Sequence, residues 1–152
     1  MKKILLITLC LCIFPVLCFA DFTDNGDGTI TDNDTGLMWK QATVDTDGDL
    51  DIDIDDTVTW ENALSSCANL DFAGQTDWRL PTNKELQSIV DYTAYTPTIN
   101  AVFTDTISTW YWSSTTYVDN TDSAWAVYFY YGYVEGKPKI NEYYVRAVRG
   151  SL

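Results

Sequence analysis

Few residues in this chain are equipped for chemistry, and their types exclude more than they permit. The 152-residue sequence contains no histidine, which removes the usual general base of serine and cysteine hydrolases and the commonest zinc ligand. Of its four cysteines, Cys10, Cys12 and Cys18 fall in the first twenty residues, leaving Cys67 alone. Cys67 sits on the apolar side of a helix-like segment, where a small core residue is the simpler reading than a nucleophile. Beyond residue 20 no intramolecular disulfide can form, even in a compartment that permits one. Carboxylates are abundant, and a glycosidase needs only a pair of them. Most, however, stand in a turn-like acidic run, and no pair is set in apolar surroundings that would raise a pKa.

That run, Asp45 to Asp56, is the sharpest local motif. It places carboxylates at loop positions 1, 3, 5 and 9, a backbone carbonyl at 7, an apolar residue at 8 and an acid at 12. Calcium takes six to eight hard oxygens from a flexible loop, and this spacing can supply them. Asp45, Asp47, Asp49, Asp51, Asp53 and Asp56 are the candidate metal ligands, and calcium is the candidate ion. Two features depart from an EF-hand-type loop: Leu50 stands where glycine makes the sharp turn, and Asp56 is shorter than the usual bidentate glutamate. A solvated acidic surface loop is the alternative, and the sequence leaves both open. The stretch Asp24 to Ile30 resembles a second calcium loop, but its glycines and β-branched residues already account for a tight turn.

The other candidate surface is aromatic. Thirteen of the 22 aromatic residues fall between Phe103 and Tyr144, so the C-terminal half must use some of them outside the core. Trp110, Trp112 and Trp125 are expected to be mainly core. Tyr128 to Tyr133 is a near-continuous run in which some rings must face outward, and Tyr117, Tyr128, Tyr130 and Tyr133 are expected to be partly exposed. Rigid amphipathic rings give contact area at low entropic cost. The candidate ligand-binding residues are Tyr111, Tyr117, Tyr128, Tyr130, Tyr131, Tyr133, Asn141 and Tyr143.

These groups need elements to hold them. Met1-Lys2-Lys3, the apolar run Ile4 to Leu17 and the small residues before Asp21 predict a secretory signal peptide over residues 1–20. The apolar run falls short of the ~20 residues that span a bilayer, so no membrane insertion is expected after cleavage. Residues 21–152 then form one domain, in the periplasm or at the cell surface. Loss of Lys2 and Lys3 takes the net charge from −13 to −15, which disfavours nucleic acid and anionic lipid as partners. Lys137, Lys139, Arg146 and Arg149 cluster near the C-terminus and leave room for a local basic patch, although salt-bridge partners are the simpler reading. Residues 21–41 predict a β-hairpin. A helix is expected from Trp60 to Leu70, with Thr59 as N-cap and Trp60, Ala63, Leu64, Cys67 and Ala68 on one face. Thr82 and Glu85 form a capping box for a second helix whose stripe is Leu86, Ile89 and Val90. Short β-like runs follow at 110–117, 124–131 and 142–149. The expected class is α+β: two helices packed on short antiparallel strands with a long loop-rich C-terminal region.

Several segments carry a resemblance. They are Asp24 to Asp32, Thr35 to Trp39, Thr59 to Ala63, Asp77 to Leu86, Tyr111 to Thr115 and Tyr143 to Gly150. In this order and spacing the chain resembles the Lcl C-terminal domain family, whose namesake is the C-terminal domain of a Legionella collagen-like adhesin. The resemblance implies a C-type-lectin-like fold, related to the formylglycine-generating fold, and a role in ligand binding or adhesion. Formylglycine-generating enzymes use active-site cysteines that Cys67 alone does not provide, so that activity is not carried over. Some relatives pair a cysteine in the first helix with one in the last strand, where this chain has Ala147. The Glu-Pro-Asn, Gln-Pro-Asp and Trp-Asn-Asp signatures of calcium-dependent sugar binding are absent. The expected function is an exported, non-catalytic binding module whose aromatic C-terminal face recognises a glycan or a surface protein. A carboxylate-dependent polysaccharide hydrolase and a structural component of an envelope assembly are the alternatives.

Overall fold

The computed structural model describes residues 21–150; the expected signal peptide lies outside them. Glycines and short Asx-type side chains shape the first thirty of these residues. Asp24 Oδ1 accepts the Gly26 N–H and Asp27 Oδ1 accepts the Thr29 N–H and hydroxyl, so these carboxylates are consumed by a tight turn. The turn joins β1 (Phe22–Asp24) to β2 (Thr29–Asp32), and a second turn leads to β3 (Met38–Lys40). The expected hairpin is therefore a three-stranded meander. The last strand, β7 (Val148–Arg149), pairs antiparallel with β3 and closes a four-stranded sheet in the order β1-β2-β3-β7. A second antiparallel sheet consists of β4 (Trp110–Thr116), β5 (Ser123–Tyr128) and β6 (Tyr133–Pro138). Helices α1 (Trp60–Ala68) and α2 (Asn83–Ser88) pack against it. The α+β class and the capped second helix are as the sequence predicts.

Two apolar cores result. One lies under α2 and gathers Ile30, Trp39, Leu86, Ile89, Tyr111, Phe129 and Val148; the other lies under α1 and gathers Ala63, Cys67, Trp78, Leu80, Trp112 and Ala147. Cys67 and Ala147 thus share a core without a disulfide, and burial pushes the Cys67 thiol up to about 12, which keeps it protonated and inert. Three local expectations need correction. Ala68 is exposed instead of sharing the buried face of α1, whose N-cap is Thr59 as expected, with no side-chain capping bond. The run 124–131 is strand only to Tyr128, because Gly132, left-handed at φ +75, turns the chain back. Of 142–149 only Val148–Arg149 is a ladder strand; the Ala147 carbonyl accepts from Lys40 at the end of β3, but the Val145 carbonyl accepts from Val44, beyond that strand.

Arg79 and Glu85 make the structural contact their charges require. Arg79 Nη1 and Nη2 donate to the two Glu85 oxygens at 2.9 and 2.7 Å, and the Thr82 amide and hydroxyl donate to Oε2 at 2.7 and 2.9 Å. The Arg79 backbone also exchanges hydrogen bonds with Val148, so one carboxylate ties the α2 N-terminus to the first sheet. Burial pulls the Glu85 carboxyl upward, but the Arg79 fork and the Thr82 donors outweigh it and hold it below its ordinary value. A depressed carboxyl stabilises the fold above its unfolded pKa, and that contribution is lost as pH falls through the folded value. Glu85→Ala is expected to cost about 2–3 kcal/mol at neutral pH and to flatten the acid limb of stability. Urea unfolding at pH 7 and pH 3 measures both; an unchanged acid limb would show that Glu85 is not its source.

Candidate functional site

An aromatic row runs along one end of the second sheet. Cross-strand register sets Trp110 opposite Tyr128 and Tyr128 opposite Tyr133. Tyr143 lies 6.1 Å from Trp110, Trp110 stacks on Tyr128 at 4.7 Å, and Tyr128 stacks on Tyr130 at 5.9 Å. Tyr130 meets Tyr131 edge-on at 4.4 Å, and Tyr131 lies 5.4 Å from Tyr133. The row is continuous because β5 and β6 are joined by the turn Phe129 to Gly132, whose Gly132 N–H donates to the Tyr128 carbonyl at 2.8 Å. Asn141 Nδ2 donates to the Tyr143 hydroxyl at 2.9 Å and fixes that end. Tyr131 and Tyr133 are 48% and 62% exposed, so the other end faces solvent.

The eight expected ligand residues are thus divided. Tyr128, Tyr130, Tyr131, Tyr133, Asn141 and Tyr143 come together. Tyr111 does not: it is fully buried, with its hydroxyl 2.7 Å from the Thr43 hydroxyl and accepting the Ile107 N–H. Strand alternation explains this, since Tyr111 points to the face opposite Trp110 and Trp112. Tyr117 lies away from the row, edge-on to Trp125 at 4.9 Å and over Gly136. Trp110, expected in the core, is half-buried in the middle of the row, with the Lys137 ammonium 4.1 Å from its ring centre. Tyr92 and Tyr95, from the loop after α2, were not anticipated. Tyr92 donates its hydroxyl to the Gly132 carbonyl at 3.2 Å. The Tyr95 and Tyr131 phenols raise the pKa of Tyr130, placing Tyr95 at the edge of the row.

Stacking decides what this row can offer. Trp110, Tyr128 and Tyr130 are within 24° and 19° of parallel, so they cover one another's faces and present edges and hydroxyls. Open ring surface is left at the exposed Tyr133 and Tyr95. The four bases near the C-terminus serve as contact partners, the simpler of the two readings, and form no patch: Lys137 pairs with Glu135, Lys139 lies over Trp60, Arg149 pairs with Asp77, and Arg146 is in the core.

The acidic loop gathers three of its six expected ligands. Asp45, Asp47 and Asp49 bring carboxylate oxygens within 4.8 Å of one another, an arrangement that could coordinate a divalent cation such as calcium. Leu50, at the position of the missing glycine, adopts φ +78 and donates its N–H to Asp45 Oδ2. Asp51, Asp53 and Asp56 stand outside the cluster. Asp53 and Asp56 cap the short 3-10 turn Ile54–Asp56 reciprocally, and the buried Asp56 carboxylate also accepts the Thr46 N–H. For Asp47 the Asp49 amide pulls the carboxyl down, but desolvation and the charges of Asp49, Asp56 and Asp45 prevail and raise it. Asp51 is raised chiefly by Asp49.

An α+β domain with a surface aromatic cluster and an acidic cluster, and with no catalytic motif or disulfide among its described residues, is consistent with a binding or adhesion role. The model of the Lcl C-terminal domain family matches residues 28–149, and the chain belongs to that family. No curated protein matches it. Among the described residues no helix is long and apolar enough to cross a membrane.

Proposed function

We propose that this protein is an exported binding module of C-type-lectin-like fold that recognises a glycan or protein ligand through the Tyr143-to-Tyr133 row. The observation that carries this reading is the row itself: contiguous tyrosine edges and hydroxyls exposed on a strongly acidic domain. Such rings supply apolar area and hydrogen bonds together. Because the stacked rings hide their faces, a protein surface is favoured over a flat sugar. Tyr128→Ala, Tyr130→Ala and Tyr133→Ala combined are expected to abolish binding detected on a glycan array or a surface-protein panel. Unchanged binding of every hit by a folded triple variant would refute the face.

Calcium at Asp45, Asp47 and Asp49 is part of the same proposal. Their mutual repulsion in one short loop is relieved by a divalent cation. Titration calorimetry of the protein is expected to give saturable heat with a Kd of about 0.1–1 mM. Asp47→Asn with Asp49→Asn should remove it, and affinity should fall as pH drops through the raised aspartate range. Absence of heat at millimolar calcium ends the idea.

A further inference from the structure

Away from the aromatic row, a pocket of about 690 Å³ opens between the acidic loop, the turn after α1 and the segment containing Asp105 and Ile107. That volume suits a small molecule. Its apolar wall is Val44, Ile52, Leu70, Phe72 and Ile107, and its charged groups are Lys40, Asp45, Asp51 and Asp105.

The charges are not evenly spread. Lys40 is half-buried; its ammonium donates to the Thr43 carbonyl at 2.9 Å and lies 5.0 Å from the centre of the Phe72 ring. Among the described residues it joins no ion pair. Behind it the buried Arg146 donates to the Lys40 carbonyl and to Thr106, which sets a second cation beside Lys40. Burial first, and then Arg146, lower the Lys40 pKa against the opposing pull of Asp45, Asp105 and Asp56, so carboxylates stand near this ammonium without pairing with it. The Asp45 oxygens accept the Gly48 and Leu50 amides, which orient that carboxylate within the acidic loop. Asp51 and Asp105 are exposed, and their carboxylates are free to meet a cation.

We propose that this pocket binds a small apolar zwitterion, an α-amino acid or dipeptide with a hydrophobic side chain. Its carboxylate faces Lys40, its ammonium faces Asp51 and Asp105, and its side chain lies against Phe72, Ile52 and Leu70. An organic anion would satisfy Lys40 but meet two carboxylates, and an amine would satisfy those but meet the ammonium. Only a molecule carrying both signs matches Lys40 and the two carboxylates together.

The test is titration calorimetry of the purified protein with L-phenylalanine, L-leucyl-L-phenylalanine, phenethylamine and 3-phenylpropionate, in chelator and again in millimolar calcium. At least one zwitterion is expected to bind saturably, about tenfold or more tighter than the amine and the acid. Lys40→Met should reduce the zwitterion to the affinity of the amine. Asp51→Asn with Asp105→Asn, both at the surface, should reduce it to that of the acid without moving the melting temperature. The comparison of phenylalanine with the dipeptide reads the length of ligand accepted. No saturable heat with either zwitterion in either buffer, or equal affinity for a singly charged analogue, overturns the proposal.

Discussion

Replacing Arg146 with alanine is expected to remove about 3–5 kcal/mol of stability, the scale seen when a buried charged group is deleted from its partners. Arg146 is fully buried, and its guanidinium lies 5.1 Å from the Phe103 ring centre. It donates to the carbonyls of Lys40 and Gln41 and, at 2.6 Å, to the Thr106 hydroxyl. No carboxylate pairs with it among the described residues. Burial pulls its pKa down to about 10, so at neutral pH it remains charged and is held by carbonyls, the Thr106 hydroxyl and aromatic rings. A base with a lowered folded pKa opposes folding below that value, and the opposition fades only as pH rises above about 10 towards the unfolded value. Alanine leaves the two carbonyls without donors and a cavity between the first sheet and the Asp105 segment. Lysine keeps the charge but cannot fork to several acceptors, and should recover less than half of the loss. Equilibrium urea unfolding followed by tryptophan fluorescence decides this. A loss below ~1 kcal/mol for the alanine variant would mean that water or neighbouring groups replace the fork.

Arg146 also marks where sequence reasoning stops. Thr82 and Glu85 were legible because a capping box is local: both partners lie within one helical turn. The Asp24-to-Gly28 turn was legible for the same reason. The role of Arg146 depends on carbonyls more than a hundred residues earlier, with |i−j| of 105 and 106, and nothing near it in sequence names them. Strand β6 was missed because Glu135-Gly136-Lys137-Pro138 is poor in β-formers; such residues suit an edge strand, and β6 is at the edge of its sheet. In the candidate face, the Tyr128-to-Tyr133 run announced itself by density. Alternation along β4 put Tyr111 inside and Trp110 on the row, a register that the sequence left undetermined. Tyr92 and Tyr95 enter through the fold alone, since Gly132 is what brings Tyr92 beside the β5–β6 turn.

Gly132→Ala should therefore be costly to both stability and the aromatic row. Gly132 has φ +75, and a Cβ there would stand 2.7 Å from Tyr92 Cε1 and 2.9 Å from Val90 Cγ1. The left-handed backbone alone costs an L-residue about 1–2 kcal/mol. The contacts add to it, because Val90 packs against the α2 core and Tyr92 is held by its hydroxyl; about 2–4 kcal/mol in total is expected. Two other glycines separate the causes. Gly26 has φ +77 and nothing near its Cβ position, so its alanine variant should show the backbone cost alone, about 1 kcal/mol. Gly136 would meet the Tyr117 ring at 2.9 Å without a positive φ, and the half-exposed Tyr117 can swing aside at less cost. The order of loss should be Gly132 first, with Gly26 and Gly136 well below it. Displacement of Tyr92 should also loosen Tyr130 and Tyr131, so Gly132→Ala should weaken any ligand of the row while Gly26→Ala leaves it unchanged. Equal losses from all three would mean that the β5–β6 turn yields freely, and the row would then lack the rigidity that makes stacked tyrosines a binding surface.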